Sequence, residues 1–202
     1  MSQPAFERTM TVEAFFAWQE RQDDRYELVG GAPLRMMAGA SNGHDRIVVN
    51  LVAELRNQLR GSGCRPFTGD GAVETYPGQI RRPDAGVDCG RLDARAYKAA
   101  APRMVAEVLS PSTRDFDTYD KVREYQSVAG LDYVLLVEPN APEAVMWVRD
   151  GEGWRTERAE GLDASLALPG IGVTLALADL YDEVEFPSGP RLAFGRLLDE
   201  TS

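Results

Sequence analysis

Arg103-Met104-Val105-Ala106-Glu107-Val108-Leu109-Ser110-Pro111-Ser112-Thr113 is the stretch on which the fold turns. Its first seven residues make a strand in which Met104–Leu109 is apolar on both faces apart from Glu107. Ser110–Thr113 then forms a turn and a helix start, with Pro favoured early and Ser or Thr as cap. The spacing predicts a helix from about Arg114 to Val128, stopped near Gly130, and a buried strand over Asp132–Glu138. Strand, helix and strand in that order imply parallel pairing through a right-handed crossover.

Upstream, Thr11 to about Gln22 reads as a capped helix, and Tyr26–Val29 and Leu34–Met37 as a hairpin joined through Gly30-Gly31. Ile47, Val48, Leu51, Val52, Leu55 and Leu59 recur at helical spacing between Asn42 and Arg60. Strands are expected over Arg65–Tyr76, broken at Thr68–Gly71, and over Arg82–Cys89. Downstream, Ala144–Val148, Trp154–Arg158 and Ser165–Leu168 read as a meander, and Leu175–Tyr181 as a short helix. The fold class is α/β: a mixed β-sheet with flanking helices. Its central order is helix, three strands, helix, strand, with an N-terminal hairpin and a C-terminal β-meander. Residues 1–182 make one domain and 183–202 a weakly determined tail.

The chain has 202 residues, 22 basic against 32 acidic, one His and two Cys. Cys64 and Cys89, with no CxxC, exclude a disulfide scaffold and a cysteine zinc site, and one His excludes a multi-histidine metal centre. No apolar run is long enough to span a bilayer, so no membrane partner is expected. The N-terminus lacks a basic-then-apolar signal pattern, which makes the cytoplasm the expected location. The net charge of −10 argues against a nucleic-acid partner, but 131–202 hold 5 basic and 14 acidic residues, whereas 1–130 are close to neutral. DNA would therefore have to approach the side carrying Arg46, Arg56, Arg60, Arg65, Arg81 or Arg82, and binding would be salt-sensitive. Of the 22 basic residues only Lys98 and Lys121 are lysines. A retained lysine suggests a position where a compact ammonium, not a guanidinium, is required.

A carboxylate in the strand at Glu107 needs a partner or a metal; an arginine in the core would serve as well. In Arg82-Pro83-Asp84-Ala85-Gly86-Val87-Asp88, alternation puts Asp84, Gly86 and Asp88 on one face, with small neighbours that leave room for a ligand. Asp117, Lys121 and Tyr125 lie one turn apart on one helix face, where an ordinary exposed ion pair is the competing explanation. Two strand carboxylates and a nearby lysine, with no His or Cys cluster, select Mg²⁺ or Mn²⁺. Such a metal binds a phosphate oxygen and acidifies its water, while the lysine orients or deprotonates that water. Ser110 and Ser112 lack a nucleophile elbow and a triad.

These residues resemble the Uma2 (DUF820) family of endonucleases, within the PD-(D/E)xK nuclease superfamily. The resemblance runs over about residues 10–180: Tyr26-Glu27-Leu28, His44 opening an Ile- and Leu-rich helix, Pro83-Asp84, Glu107-Val108-Leu109-Ser110-Pro111-Ser112-Thr113, Asp117 and Lys121, Tyr125, Tyr133, Glu138-Pro139 and Leu168-Pro169-Gly170. It implies a restriction-endonuclease-like core, with Asp84 and Glu107 as ligands of Mg²⁺ or Mn²⁺, the Val108 backbone carbonyl completing coordination, and DNA as substrate. Where the superfamily places a lysine two residues after the acid, this chain has Leu109, which makes Lys121 the counterpart. Glu27, His44 and Asp117 are pocket candidates, and His44 is equally placed to cap its own helix. Gly31-Ala32 and Val134 depart from the family pattern outside the catalytic set. A homodimer is the expectation, because cutting both strands takes two sites. The alternatives are a catalytically silent binding or assembly protein of nuclease fold, and a metal-dependent hydrolase of a small phosphoester.

Overall fold

The computed structural model describes residues 9–36, 41–110 and 117–186. Thr11 caps α1 (Val12–Gln19), its hydroxyl accepting the Ala14 N–H at 3.2 Å. Strands β1 (Tyr26–Val29) and β2 (Ala32–Arg35) then form the hairpin. Gly30 and Gly31 sit at φ 58° and 78°, the left-handed pair that a two-residue hairpin turn requires. The second strand therefore starts at Ala32, two residues earlier than the sequence suggested; Met37 lies outside the described residues. Helix α2 (Asn42–Gln58) buries Ile47, Leu51 and Leu55.

Next come β3 (Arg65–Thr68), β4 (Val73–Glu74), β5 (Ile80–Arg81), β6 (Ala85–Asp88) and β7 (Pro102–Val108). Helix α3 (Asp117–Gln126) leads to β8 (Tyr133–Glu138), β9 (Glu143–Asp150), β10 (Gly153–Glu160), β11 (Ser165–Leu168), β12 (Val173–Ala176) and α4 (Leu177–Leu180). The main sheet has the order β10-β9-β8-β7-β6-β3, and its parallel pair is β7–β8, joined through α3. A smaller sheet, β2-β1-β5-β4, stands beside it.

Alternation along β7 divides the core. Met104, Ala106 and Val108 pack toward α2, β11, β12 and α4. Val105 and Leu109 pack toward Val122 and Tyr125 of α3, so Glu107, between them, faces the same helix. Gln58 exchanges two hydrogen bonds with Thr174, at 2.8 and 2.9 Å, which ties α2 to the C-terminal elements.

Four expectations change. The stretch 65–76 is not one interrupted strand: β3 belongs to the main sheet and β4 to the small one. The strand expected over Arg82–Cys89 begins only at Ala85, because Ile80-Arg81 pairs with β1 and the chain crosses between sheets at Arg82-Pro83-Asp84. The meander reaches only β10; β11 leaves it to pair with β12, whose alternating Val173-Thr174-Leu175-Ala176 takes the first two residues of the expected helix, so that α4 begins at Leu177. Finally, Cys64 and Cys89 form a disulfide. Pairing of Arg65 with Asp88 makes them the next residues across the β3–β6 ladder, a register that a separation of 25 in sequence does not reveal. In a reducing cytosol the pair would stand as thiols. No described helix is long and apolar enough to cross a membrane.

Loop-closure entropy assigns a bridge of this span about 3 kcal/mol. Reduction, or Cys64→Ser, should lower the free energy of urea unfolding by about that amount; equal midpoints for the oxidised and reduced protein would count against the bridge.

Candidate active site

The site lies where β7 ends beside the entrance to β6. The Val108 N–H donates to Asp84 Oδ2 at 2.8 Å, so the end of one strand holds the carboxylate that precedes the next. His44, in the first turn of α2, brings Nε2 to 3.3 Å from the same oxygen, and the Val108 carbonyl is also within its reach. Burial disfavours the imidazolium, but the Asp84 hydrogen bond and charge, the Val108 carbonyl and the Glu107 charge outweigh it and hold His44 above its ordinary pKa. The helix cap is Ser41, whose Oγ accepts the His44 N–H at 3.2 Å. The His44 side chain is thereby left to the site.

Glu107 meets α3 rather than an arginine. Tyr125 OH donates to its Oε1 at 2.8 Å, and Lys121 Nζ stands 3.5 Å from that atom. Burial pushes the Glu107 carboxyl up to about 7; Lys121 and Tyr125 pull it down, and the charges of Asp84 and Glu27 push it further up. Lys121 is also 3.4 Å from Glu27 Oε1. Burial works against its charge, but Glu107 and Glu27 prevail and keep it a cation above the ordinary lysine range.

Behind Lys121 lies a chain of buried charges, of which the sequence pointed to Glu27 alone as part of the pocket. Arg81 Nη1 donates to Glu27 Oε2 at 2.8 Å, while its Nε and Nη2 grip both oxygens of Glu124 at 2.7 and 2.6 Å. Glu27 Oε1 accepts the Arg82 N–H at 3.1 Å, and the Thr75 hydroxyl donates to Glu124 Oε2 at 3.2 Å. The available signal was Glu124 three residues after Lys121, which puts both on one helix face.

Three arginines expected to face DNA are engaged by partners within the fold, two of them buried. Arg81 and Arg82 are only 7% exposed, with Arg82 donating to the Tyr26 and Asp70 carbonyls. Arg65 serves Asp88 and the Gly90 carbonyl. Arg46 pairs with Glu183 at 3.2 Å, whereas Arg56 and Arg60 are exposed. Asp88 organises the loop after β6, accepting the Gly90 and Ala101 N–H groups at 2.9 and 2.8 Å. The side chain of Asp117 lies outside the described residues.

Asp84, Glu107 and the Val108 carbonyl are hard oxygen donors of the kind that suit Mg²⁺ or Mn²⁺. No cluster of three or more His, Cys, Asp or Glu side chains suited to a metal exists among the described residues. An ion would therefore rest on two carboxylates, one carbonyl and water. Burial is the main reason the Glu107 carboxyl is raised, and a divalent cation on its oxygens would offset that cost, so the donor set fits.

A carboxyl raised from 4.5 to about 7 in the fold binds its proton more tightly when folded. Stability is therefore lost as pH rises through that window. In metal-free protein, Glu107→Gln should flatten the decline in melting temperature between pH 5 and 8. Its relative gain at pH 8 has a ceiling of about 3 kcal/mol, and parallel pH profiles for the two proteins would contradict the burial assigned to Glu107.

Residues 12–178 match the Uma2 family, described as "Putative restriction endonuclease". An uncharacterised protein of Synechocystis sp. is 29% identical over 180 residues, spanning 88% of this chain and 94% of that one. The crystal structure of a "putative nuclease belonging to DUF820" from Anabaena variabilis superimposes with a TM-score of 0.66 at 18% identity, covering 85% of this chain and 97% of that one. That likeness establishes a shared fold, and the match across most of the chain establishes the lineage: the protein belongs to the Uma2 family.

Proposed function

We propose that the protein is a metal-dependent endonuclease that hydrolyses DNA phosphodiester bonds at the Asp84–Glu107–Lys121 site. The observation that carries this reading is the meeting of β6, β7 and α3 at Val108: Asp84 on its N–H, Glu107 one residue before it, and Lys121 3.5 Å from Glu107. Asp84, Glu107 and the Val108 carbonyl would hold Mg²⁺ or Mn²⁺, which supplies a Lewis acid for a phosphate oxygen and acidifies water. Leu109, at the superfamily's lysine position, is buried in the core against α3, which leaves the cationic role to Lys121. Its ammonium, between two carboxylates, donates hydrogen bonds that orient the attacking water and offset charge in the transition state. Tyr125 OH aims Glu107, and the His44 imidazole steadies Asp84. Of the six arginines expected to face DNA, Arg56 and Arg60 are exposed and available to phosphates. Two copies acting together would cut both strands.

Plasmid cleavage in Mg²⁺ or Mn²⁺ is the test. Asp84→Ala, Glu107→Gln and Lys121→Ala should each lose on the order of a hundredfold or more in rate, with melting curves showing intact folds. Full activity in a folded Lys121→Ala protein would remove Lys121 from the chemistry. Cleavage of a small phosphodiester but not of DNA would favour the small-substrate hydrolase. Absence of Mn²⁺ binding at millimolar concentration would favour the catalytically silent protein.

A further inference from the structure

We propose that Arg81 is a positioning residue for this site: by clamping Glu27 and Glu124 together it sets where the Lys121 ammonium stands. The inference rests on the endonuclease reading for its catalytic consequence, but the positioning itself is independent of activity.

Three N–H groups of the guanidinium are committed, one to Glu27 and two to the fork of Glu124. Both oxygens of Glu27 are thereby fixed, Oε2 by Arg81 and Oε1 by the Arg82 N–H. Glu124 and Lys121 lie three residues apart on α3, so gripping Glu124 fixes the rotation of the helix about its axis at the turn that presents the lysine. Lys121 itself has a flexible four-carbon stem. Its ammonium stands nearly midway between two carboxylates, 3.4 Å from Glu27 and 3.5 Å from Glu107. Without Glu27 held on the far side, that ammonium would lose one of its two anchors and swing on its stem instead of standing at one place beside Glu107. Stability alone does not explain such a network, because buried ion pairs are commonly replaceable by apolar residues at no loss. Its geometry does: β1 and β5 of the small sheet form a rack, and the charge it holds is delivered to β7 of the large one.

The two lysines of the chain make the test direct. In protein labelled at lysine Cε, a held Lys121 should show two resolved Hε protons, with Lys98, paired with Glu74, as internal reference. Arg81→Met/Glu124→Leu removes the clamp without stranding Glu124. It should merge the Lys121 protons into one averaged signal and leave Lys98 unchanged. In cleavage assays kcat should fall at least tenfold, with KM and Mn²⁺ affinity within twofold of the parent. Arg81→Lys, which keeps the charge but loses the fork, should show the same loss in smaller measure, and it serves if the double variant does not fold. Unchanged Lys121 signals would overturn the proposal. Averaged signals with unchanged kcat would overturn its catalytic part. A parent protein that binds Mn²⁺ but cuts no DNA would sink the endonuclease reading alone, and the Lys121 signals would still decide the positioning.

Discussion

Glu107 is a carboxylate in the apolar run Met104–Val108 of β7, and burying it unpaired would cost several kcal/mol. The surrounding architecture answers that demand. Because β7 and β8 run parallel, the chain has to return across the sheet, and α3 makes that return on the face to which Glu107 points. Tyr125 and Lys121 then meet the carboxylate from successive turns of the helix. The lysine brings its own burial cost, which Glu27 offsets, and Glu27 in turn draws in Arg81 and Glu124. One misplaced charge in the main sheet thus recruits the smaller sheet, which otherwise packs with α1 around Phe15, Phe16, Leu28 and Ile80.

Local patterns that carry their own signal were legible. The β7–α3–β8 unit follows from apolar runs and turn residues, and α2 from its periodic apolar positions. The hairpin follows from Gly30-Gly31, although the two-residue turn fixed β2 earlier than expected. Elements specified by distant partners were not legible. The pair Ile80-Arg81 is too short to read as a strand and is one only because β1 and β4 flank it. Val173–Ala176 has apolar positions that suit either helix or strand, and β11 decides between them. The Cys64–Cys89 bridge depends on a strand register with no local signature.

The same division holds within the candidate site. Asp84, Glu107, Lys121 and Tyr125 are visible because polar residues interrupt an apolar pattern or share a helix face. His44 was ambiguous between cap and pocket until Ser41 took the cap. Arg81 was read by its charge as facing solvent, yet it is buried between two acids, because a guanidinium fork can bridge two carboxylates where an ammonium cannot. The surplus of acid over base, heaviest after residue 130, does not settle the character of the pocket. There, charge is a matter of a few groups: Asp84, Glu107, Glu27 and Glu124 stand among Lys121, Arg81, Arg82 and a His44 held above its ordinary pKa.

The central claim is that Asp84, Glu107 and the Val108 carbonyl form a seat for a divalent cation. Crystals soaked in Mn²⁺ and measured at the manganese absorption edge test it most directly. The account predicts one strong anomalous peak within coordination distance of an Asp84 carboxylate oxygen, a Glu107 carboxylate oxygen and the Val108 carbonyl. A clean map at that position under millimolar Mn²⁺, with Lys121 and His44 still seated on the two acids, would contradict it.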